Sequence, residues 1–273
     1  MYRVPFAKMH ASGNDFIIID NRLNQVTGDI TAFVRKVCRP HFSVGADGLI
    51  LIEDSNDADF RWHFFNLDGN EVHMCGNGSR CAAMFAFMNG IAGRKLSFET
   101  LAGIIRAEVK DGTVKVQLTK PFGYQPEVEI PIGGVKRTAS FINTGVPHVV
   151  YFVDDLETVD IIGDGAATRY HDLFKPDGTN ANFAKVTEPG RMLIRTYERG
   201  VEGETLACGT GAVAAALIAG AKGLVSSPVT LMTRGGTELK VYFDWDGMQF
   251  ENIFLEGDAV LVYQGAIEEG ALL

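Results

Sequence analysis

Short apolar stretches, alternating with polar residues or running together as β-branched clusters, recur along the chain between Gly, Asp and Asn: FIIID at 16–20, GLILIE at 48–53, GIIRAEV at 103–109, TVKVQL at 113–118, HVVYFV at 148–153 and KVYFDW at 240–245. Apolar positions at period two, or short β-branched runs bounded by turn residues, predict strands. Asp111-Gly112 between two such runs predicts a tight hairpin turn. Two segments break the pattern. From Cys75 to about Gly90 (CGNGSRCAAMFAFMNG) and from Cys208 to about Gly220 (CGTGAVAAALIAG) the residues read as helices ending at glycine. Both are apolar nearly all round beyond the first turn, which marks helices surrounded by protein.

The two helices begin about half the chain length apart, and what precedes them matches in order. WHFFNLDGNEVHM comes before the first and LIRTYERGVEGETLA before the second, each a strand running into polar residues. Earlier still, Gly13-Asn14-Asp15-Phe16 leads into IIID, and Gly145-Val146-Pro147-His148 leads into VVYFVD. A duplicated unit of about 120 to 140 residues follows, with a boundary near Pro121 to Gly134. The predicted class is α+β: two similar domains, each a mostly antiparallel sheet or barrel wrapped round a central apolar helix, with the active site in the cleft between them. The domains are placed at 1–118, completed by a returning strand at 258–273, and at 119–257.

A hydrophobic fraction of 46% and a charged fraction of 22% are those of an ordinary globular protein. The net charge of −9 argues against non-specific nucleic-acid binding, which demands a basic face. The N-terminal residues have no basic stretch followed by an apolar run, and no apolar stretch is long enough to span a bilayer, so the chain reads as cytoplasmic with no membrane partner. Cys38, Cys75, Cys81 and Cys208 are then expected as thiols. Cys81 lies in an apolar run and Cys38 in a helical-looking stretch before Arg39-Pro40, and both read as core. The histidines have no metal-ligand spacing, and no metal is assigned.

A thiol at a helix N-terminus faces the positive end of the helix dipole and unpaired N–H groups, which predicts a pKa lowered toward neutrality. Gly76 and Gly78 after Cys75, and Gly209 and Gly211 after Cys208, let a ligand approach the backbone amides, which can hold a carboxylate. If the halves face each other, two thiols flank one bound group. That suits removal and return of a proton at the α-carbon of an amino acid: the charge moves onto the carboxylate, where oriented donors stabilise it. One cysteine enters as thiolate and the other as thiol. Neither CGNGSR nor CGTGA has the GxGxxG spacing, no lysine stands in a recognisable pyridoxal phosphate setting, and no cofactor is expected.

These residues resemble diaminopimelate epimerases over essentially the whole chain: KMHASGNDFIIID at 8–20, GADGLI at 45–50, FFNLDGNEVHMCGNGSRC at 64–81, GVPH at 145–148, NANFAKV at 180–186 and YERGVEGETLACGTGA at 197–212. The resemblance implies a cofactor-independent, two-base epimerisation of LL-2,6-diaminopimelate to meso-diaminopimelate, serving lysine and peptidoglycan precursor synthesis. It makes Cys75 and Cys208 the catalytic pair, with His148 and Glu198 tuning or positioning them. Substrate contacts map to Asn14, Asn66, Gly76, Asn77, Asn180, Glu198, Arg199, Gly209 and Thr210. It also implies that the C-terminal strand near Tyr263 returns to the first domain and that Tyr263 helps a homodimer form. Many members carry Gln where this chain has Gly48, and many have GNPH where it has GVPH, placing Val146 at a position that elsewhere contacts substrate. Proline or hydroxyproline epimerases, or a dehydratase or isomerase of the same duplicated fold, are a related reading, but these relatives usually have His where this chain has Asn77, and isomerase members lack the thiol pair. A catalytically silent amino-acid-binding or redox-sensing protein is the reading from another class.

Overall fold

The computed structural model describes residues 3–272. The chain folds into two compact units, Met1–Gln117 together with Gly257–Leu273, and Leu118–Glu256. The first unit holds strands β1 (Arg3–Ala11), β2 (Asn14–Asp20), β3 (Gly48–Glu53), β4 (Phe60–Asn66), β5 (Lys95–Thr100), β6 (Gly103–Val109) and β7 (Thr113–Gln117), with helices α1 (Ile30–Val37) and α2 (Gly76–Met88). The second holds β8 (Phe122–Ile132), β9 (Val135–Asn143), β10 (Pro147–Phe152), β11 (Asn180–Glu188), β12 (Arg191–Glu198), β13 (Gly203–Thr205), β14 (Val229–Met232), β15 (Glu238–Trp245) and β16 (Phe250–Asp258), whose last two residues belong to the first unit, with helices α3 (Ile161–Arg169) and α4 (Gly209–Ala221). The last strand, β17 (Val260–Glu268), pairs antiparallel with β1, Phe6 opposite Gly265 and Lys8 opposite Tyr263.

Pairing runs through the first unit in the order β17, β1, β2, β3, β4, β5, β6, β7, with β2/β3 and β4/β5 parallel and the rest antiparallel. In the second it runs β8, β9, β10, β11, β12, β14, β15, β16, with β10/β11 and β12/β14 parallel and the rest antiparallel. The sequence of parallel and antiparallel pairs is the same. Each unit also places a short helix after its β2-like strand and the long apolar helix after its β4-like strand, so the duplication read from the sequence is a duplication of topology.

Both faces of the inner strands are covered, which is why their sequences are apolar runs rather than clean alternations. Ile17, Ile19, Leu49 and Leu51 pack with Phe33, Val34 and Val37 of α1. On the other face, Ile50 and Trp62 lie against Gly78 of α2. Helix α2 buries nine of its residues and α4 the continuous run Gly211–Ala219. Full burial of Val213, Leu217 and Ile218 contributes roughly 1.5–3 kcal/mol each.

Two predicted boundaries move. Helix α4 does not stop at Gly220 but runs to Ala221, and Gly223, at φ +72°, makes the left-handed exit. Gly220 is glycine for packing: a Cβ there would lie 2.4 Å from the Phe243 ring. The stretch Pro121 to Gly134, read as lying near the boundary, is mostly strand β8 paired with β9, and the units divide at Leu118, one residue from the division placed at 119. Among the described residues no helix is long and apolar enough to cross a membrane.

Candidate active site

In the first unit, Cys75 is the N-cap of α2, its backbone extended (φ −146°, ψ 118°) and its sulfur accepting from Gly78 N at 3.4 Å. The first helical bond is Ser79 N to Cys75 O, so the amides of Gly76 and Asn77 precede any intrahelical acceptor. The Asn77 side chain is held at both ends: Arg80 Nη2 donates to its Oδ1 (2.9 Å), and its Nδ2 donates to Asn14 Oδ1 (3.2 Å). Asn14 Nδ2 in turn donates to Asp47 Oδ2 (2.7 Å), and the Asp47 carbonyl accepts from Leu67 N, next to Asn66. Asn14, Asn77, Gly76 and the β4 corner with Asn66 thus belong to one polar network beside Cys75. Arg80 anchors it. This fully buried guanidinium donates to Asp258 O (3.0 Å) and Ser12 Oγ (3.1 Å), while Asp258 accepts from Ser12 N and Oγ.

Gly48 opens β3 opposite Asn66. A Cβ there would lie 2.7 Å from both the Phe64 ring and the Phe65 carbonyl oxygen, so a side chain has no room on this backbone.

In the second unit, Cys208 is the N-cap of α4, 7% exposed, with Sγ 3.6 Å from Thr210 Oγ1. The Thr210 carbonyl accepts from Thr144 Oγ1 (3.0 Å), tying the Gly145-Val146 turn to the helix start beside Gly209. Glu198, the last residue of β12, accepts from Thr205 Oγ1 at 2.9 Å and is hydrogen-bonded to the Cys208 thiol. Asn180 joins the remaining pieces: its Nδ2 donates to Pro147 O (3.1 Å) and its Oδ1 accepts from Arg199 N (2.7 Å), fixing the backbone on which the Arg199 guanidinium projects. His148 is fully buried on β10.

The electrostatics of Cys208 overturn one expectation. Instead of a lowered thiol pKa, burial pushes Cys208 up to about 12, and the adjacent Glu198 carboxylate adds to the rise; the Thr210 hydroxyl and the Gly211 amide pull the other way but lose. A helix dipole contributes about 0.3–1 kcal/mol, too little to offset burial of a thiolate beside a carboxylate. Glu198 is itself raised by burial, against hydrogen bonds from Thr205 and Cys208. His148 is lowered to about 3, by burial and by the positive charge of Arg199. At neutral pH Cys208 is a thiol and His148 a neutral ring. Cys38 and Cys81 are buried and raised by desolvation, Cys38 to about 12, in keeping with their reading as core.

The model of the diaminopimelate epimerase family matches residues 6–122 and 140–262. The chain is 47% identical to a diaminopimelate epimerase of Aquifex aeolicus over 98% of this chain and 99% of that one. It is 43% identical to another of Archaeoglobus fulgidus, covering 97% and 96%. The chain belongs to the diaminopimelate epimerase family. It is an isomerase of the amino-acid epimerase type. Solved structures share the fold at low identity. A Bacillus anthracis phenazine biosynthesis protein of the PhzF family aligns at TM-score 0.72 and 17% identity, covering 98% of this chain and 100% of its own. A hydroxyproline epimerase from Agrobacterium vitis aligns at TM-score 0.69 and 15%, covering 97% and 92%.

Arg80, Asp47, Asp258 and Asn182 were not singled out from the sequence. Asn182 had a signal: in NANFA it stands two residues from Asn180, on the same side of the strand and among Ala181, Phe183 and Ala184.

Proposed function

We propose that this enzyme interconverts LL-2,6-diaminopimelate and meso-diaminopimelate without a cofactor, in the cytoplasmic synthesis of lysine and peptidoglycan precursors, using Cys75 and Cys208 on opposite faces of one α-carbon. The observation that carries this reading is the pair of Cys-Gly-x-Gly helix starts at equivalent places in two units of identical strand order, in a chain of this family. The thiolate takes the α-proton, forming an S–H bond, while the C–H electron pair passes onto the substrate carboxylate. Backbone amides at a helix start stabilise that charge. The opposite thiol gives its proton to the other face, and the two sulfurs exchange protonation states. Cys208 as a buried thiol beside Glu198 is suited to giving the proton; Glu198 and His148 tune the pair, and Asn14, Asn66, Asn77, Asn180 and Arg199 grip the substrate's polar ends.

Turnover of LL-diaminopimelate by the purified chain with no additive tests the activity. Mass spectrometry in deuterated solvent tests the mechanism: first-formed meso product should carry deuterium at the inverted carbon and recovered substrate little. Substantial transfer of the original hydrogen into that product would refute two separate thiols.

A further inference from the structure

Three buried polar side chains of the second unit form a chain whose hydrogen-bonding sense can be deduced. Asn182 Nδ2 lies 2.9 Å from the carbonyl oxygen of Val149 and 3.1 Å from His148 Nδ1, and Asn182 Oδ1 accepts from Thr196 Oγ1 at 2.9 Å. Thr196 is 3% exposed, and Asn182 and His148 are fully buried, so none of the three can exchange these partners for water. The Val149 carbonyl is an acceptor only. The amide must therefore turn its NH2 toward Val149 and toward His148, and a flipped amide would set two oxygens against each other. The second amide hydrogen meets His148 Nδ1, which has to accept. A neutral imidazole that accepts at Nδ1 carries its proton on Nε2.

His148 Nε2 is buried and makes no hydrogen bond among the described residues. A buried donor left unmatched costs about 1–3 kcal/mol, and such a group is kept where a reacting or bound group uses it. Asn182 also touches the Cys208 helix: a Cβ on Gly211 would lie 2.3 Å from Asn182 Oδ1. One side chain sits between the histidine and the helix start that carries the thiol.

We propose that Asn182 is a positioning residue that locks His148 as the neutral Nε2–H tautomer, so that His148 acts as a hydrogen-bond donor through Nε2 and not as a base. This rests on the reading of His148 as an active-site group. Burial and the charge of Arg199, the charged group acting on the ring, keep it from taking a second proton near neutrality.

Nitrogen-15 NMR of the ring in the histidine-labelled full-length protein should show His148 with Nδ1 unprotonated and Nε2 protonated, unchanged from about pH 6 to 9, where an ordinary histidine titrates. Asn182→Asp replaces the donor facing Nδ1 by an acceptor. It should move the proton to Nδ1, introduce a His148 ionisation near neutral pH, and lower kcat on the order of 10² to 10⁴, the scale of a misplaced acid–base tautomer, with KM changed less than about threefold. Thr196→Val, which takes the donor from Asn182 Oδ1 while the Val149 carbonyl still fixes the amide's sense, should loosen the amide, keep the proton on Nε2 and give a smaller kcat loss; it supplies the kinetic test if Asn182→Asp does not fold. Wild-type His148 protonated at Nδ1, or titrating near neutrality, overturns the proposal whatever the variants do. So does a folded Asn182→Asp with an unaltered ring spectrum or an undiminished kcat. Absence of wild-type epimerisation would instead count against the proposed function, since the tautomer is read without turnover.

Discussion

At the scale of single residues, the two cysteines have equivalent places and different surroundings. Cys75 caps its helix by accepting from Gly78 N, whereas Cys208 is buried against Glu198 and raised to about 12. Replacing either by alanine should abolish epimerisation while leaving substrate binding largely intact, because a positioned acid or base is worth about 10² to 10⁴ in rate and inversion needs both faces. Isothermal titration beside a turnover assay separates the two effects, and a variant retaining a tenth of wild-type turnover would remove that cysteine from the mechanism. The buried thiols also set an alkaline limit. Cys208 and Cys38 have folded pKa values of about 12 against the usual 9.0, so the stability they contribute is complete below pH 9 and is lost as pH rises from 9 through 12. Thermal melts over that window should show a falling Tm, and Cys38→Ala should flatten the slope even though its own Tm is lower. The thiols were legible in the sequence because each opens a short, distinctive motif. The rise in Cys208 was not, since it depends on the side chain of Glu198 and on burial, neither of which a motif encodes.

At the scale of elements, apolar runs located six of the strands and both long helices, whereas β8, in the stretch read as a boundary, and α3 carried no such pattern. GLILIE and GIIRAEV coincide with β3 and β6, and both long helices begin where the Cys-Gly pairs stand. What patterning could not show is which glycines are turns and which are points of close approach. Gly220 and Gly211 both lie inside α4, one against Phe243 and the other against Asn182. Gly220→Ala should overpack the helix against β15 and cost about 1–3 kcal/mol, read as a shift in denaturant midpoint with turnover retained. Gly211→Ala displaces the Asn182 amide instead, and turnover should fall further than stability. Equal loss of both in the two variants would show that the first turn of α4 is only a packing surface.

At the scale of the whole molecule, we propose that the homodimer implied by the resemblance forms through β17, where Val260, Val262 and Tyr263 are 40%, 54% and 45% exposed, Tyr263 standing edge-on to Phe6. Apolar side chains exposed together on one strand are the material of a subunit contact. Val262→Lys with Tyr263→Ala should shift sedimentation from dimer to monomer; a wild-type chain that sediments as a monomer would end this reading. The charge and composition of the sequence carried no information on assembly, which came from the family resemblance alone, since which side chains of β17 stay exposed depends on its pairing with β1.

The pairing of β17 with β1 has a bearing on how the protein is made. The first unit takes its last strand from the final residues of the chain, and Asp258, which meets Ser12 and the buried Arg80, arrives with it. The second unit is continuous in sequence. On a ribosome adding residues from the N-terminus at about 5–20 per second, the unit begun first is the one finished last. Chains arrested with residues up to 256 emerged should hold a protease-resistant second unit beside a first unit still open to cleavage, with Arg80 waiting for its acceptor.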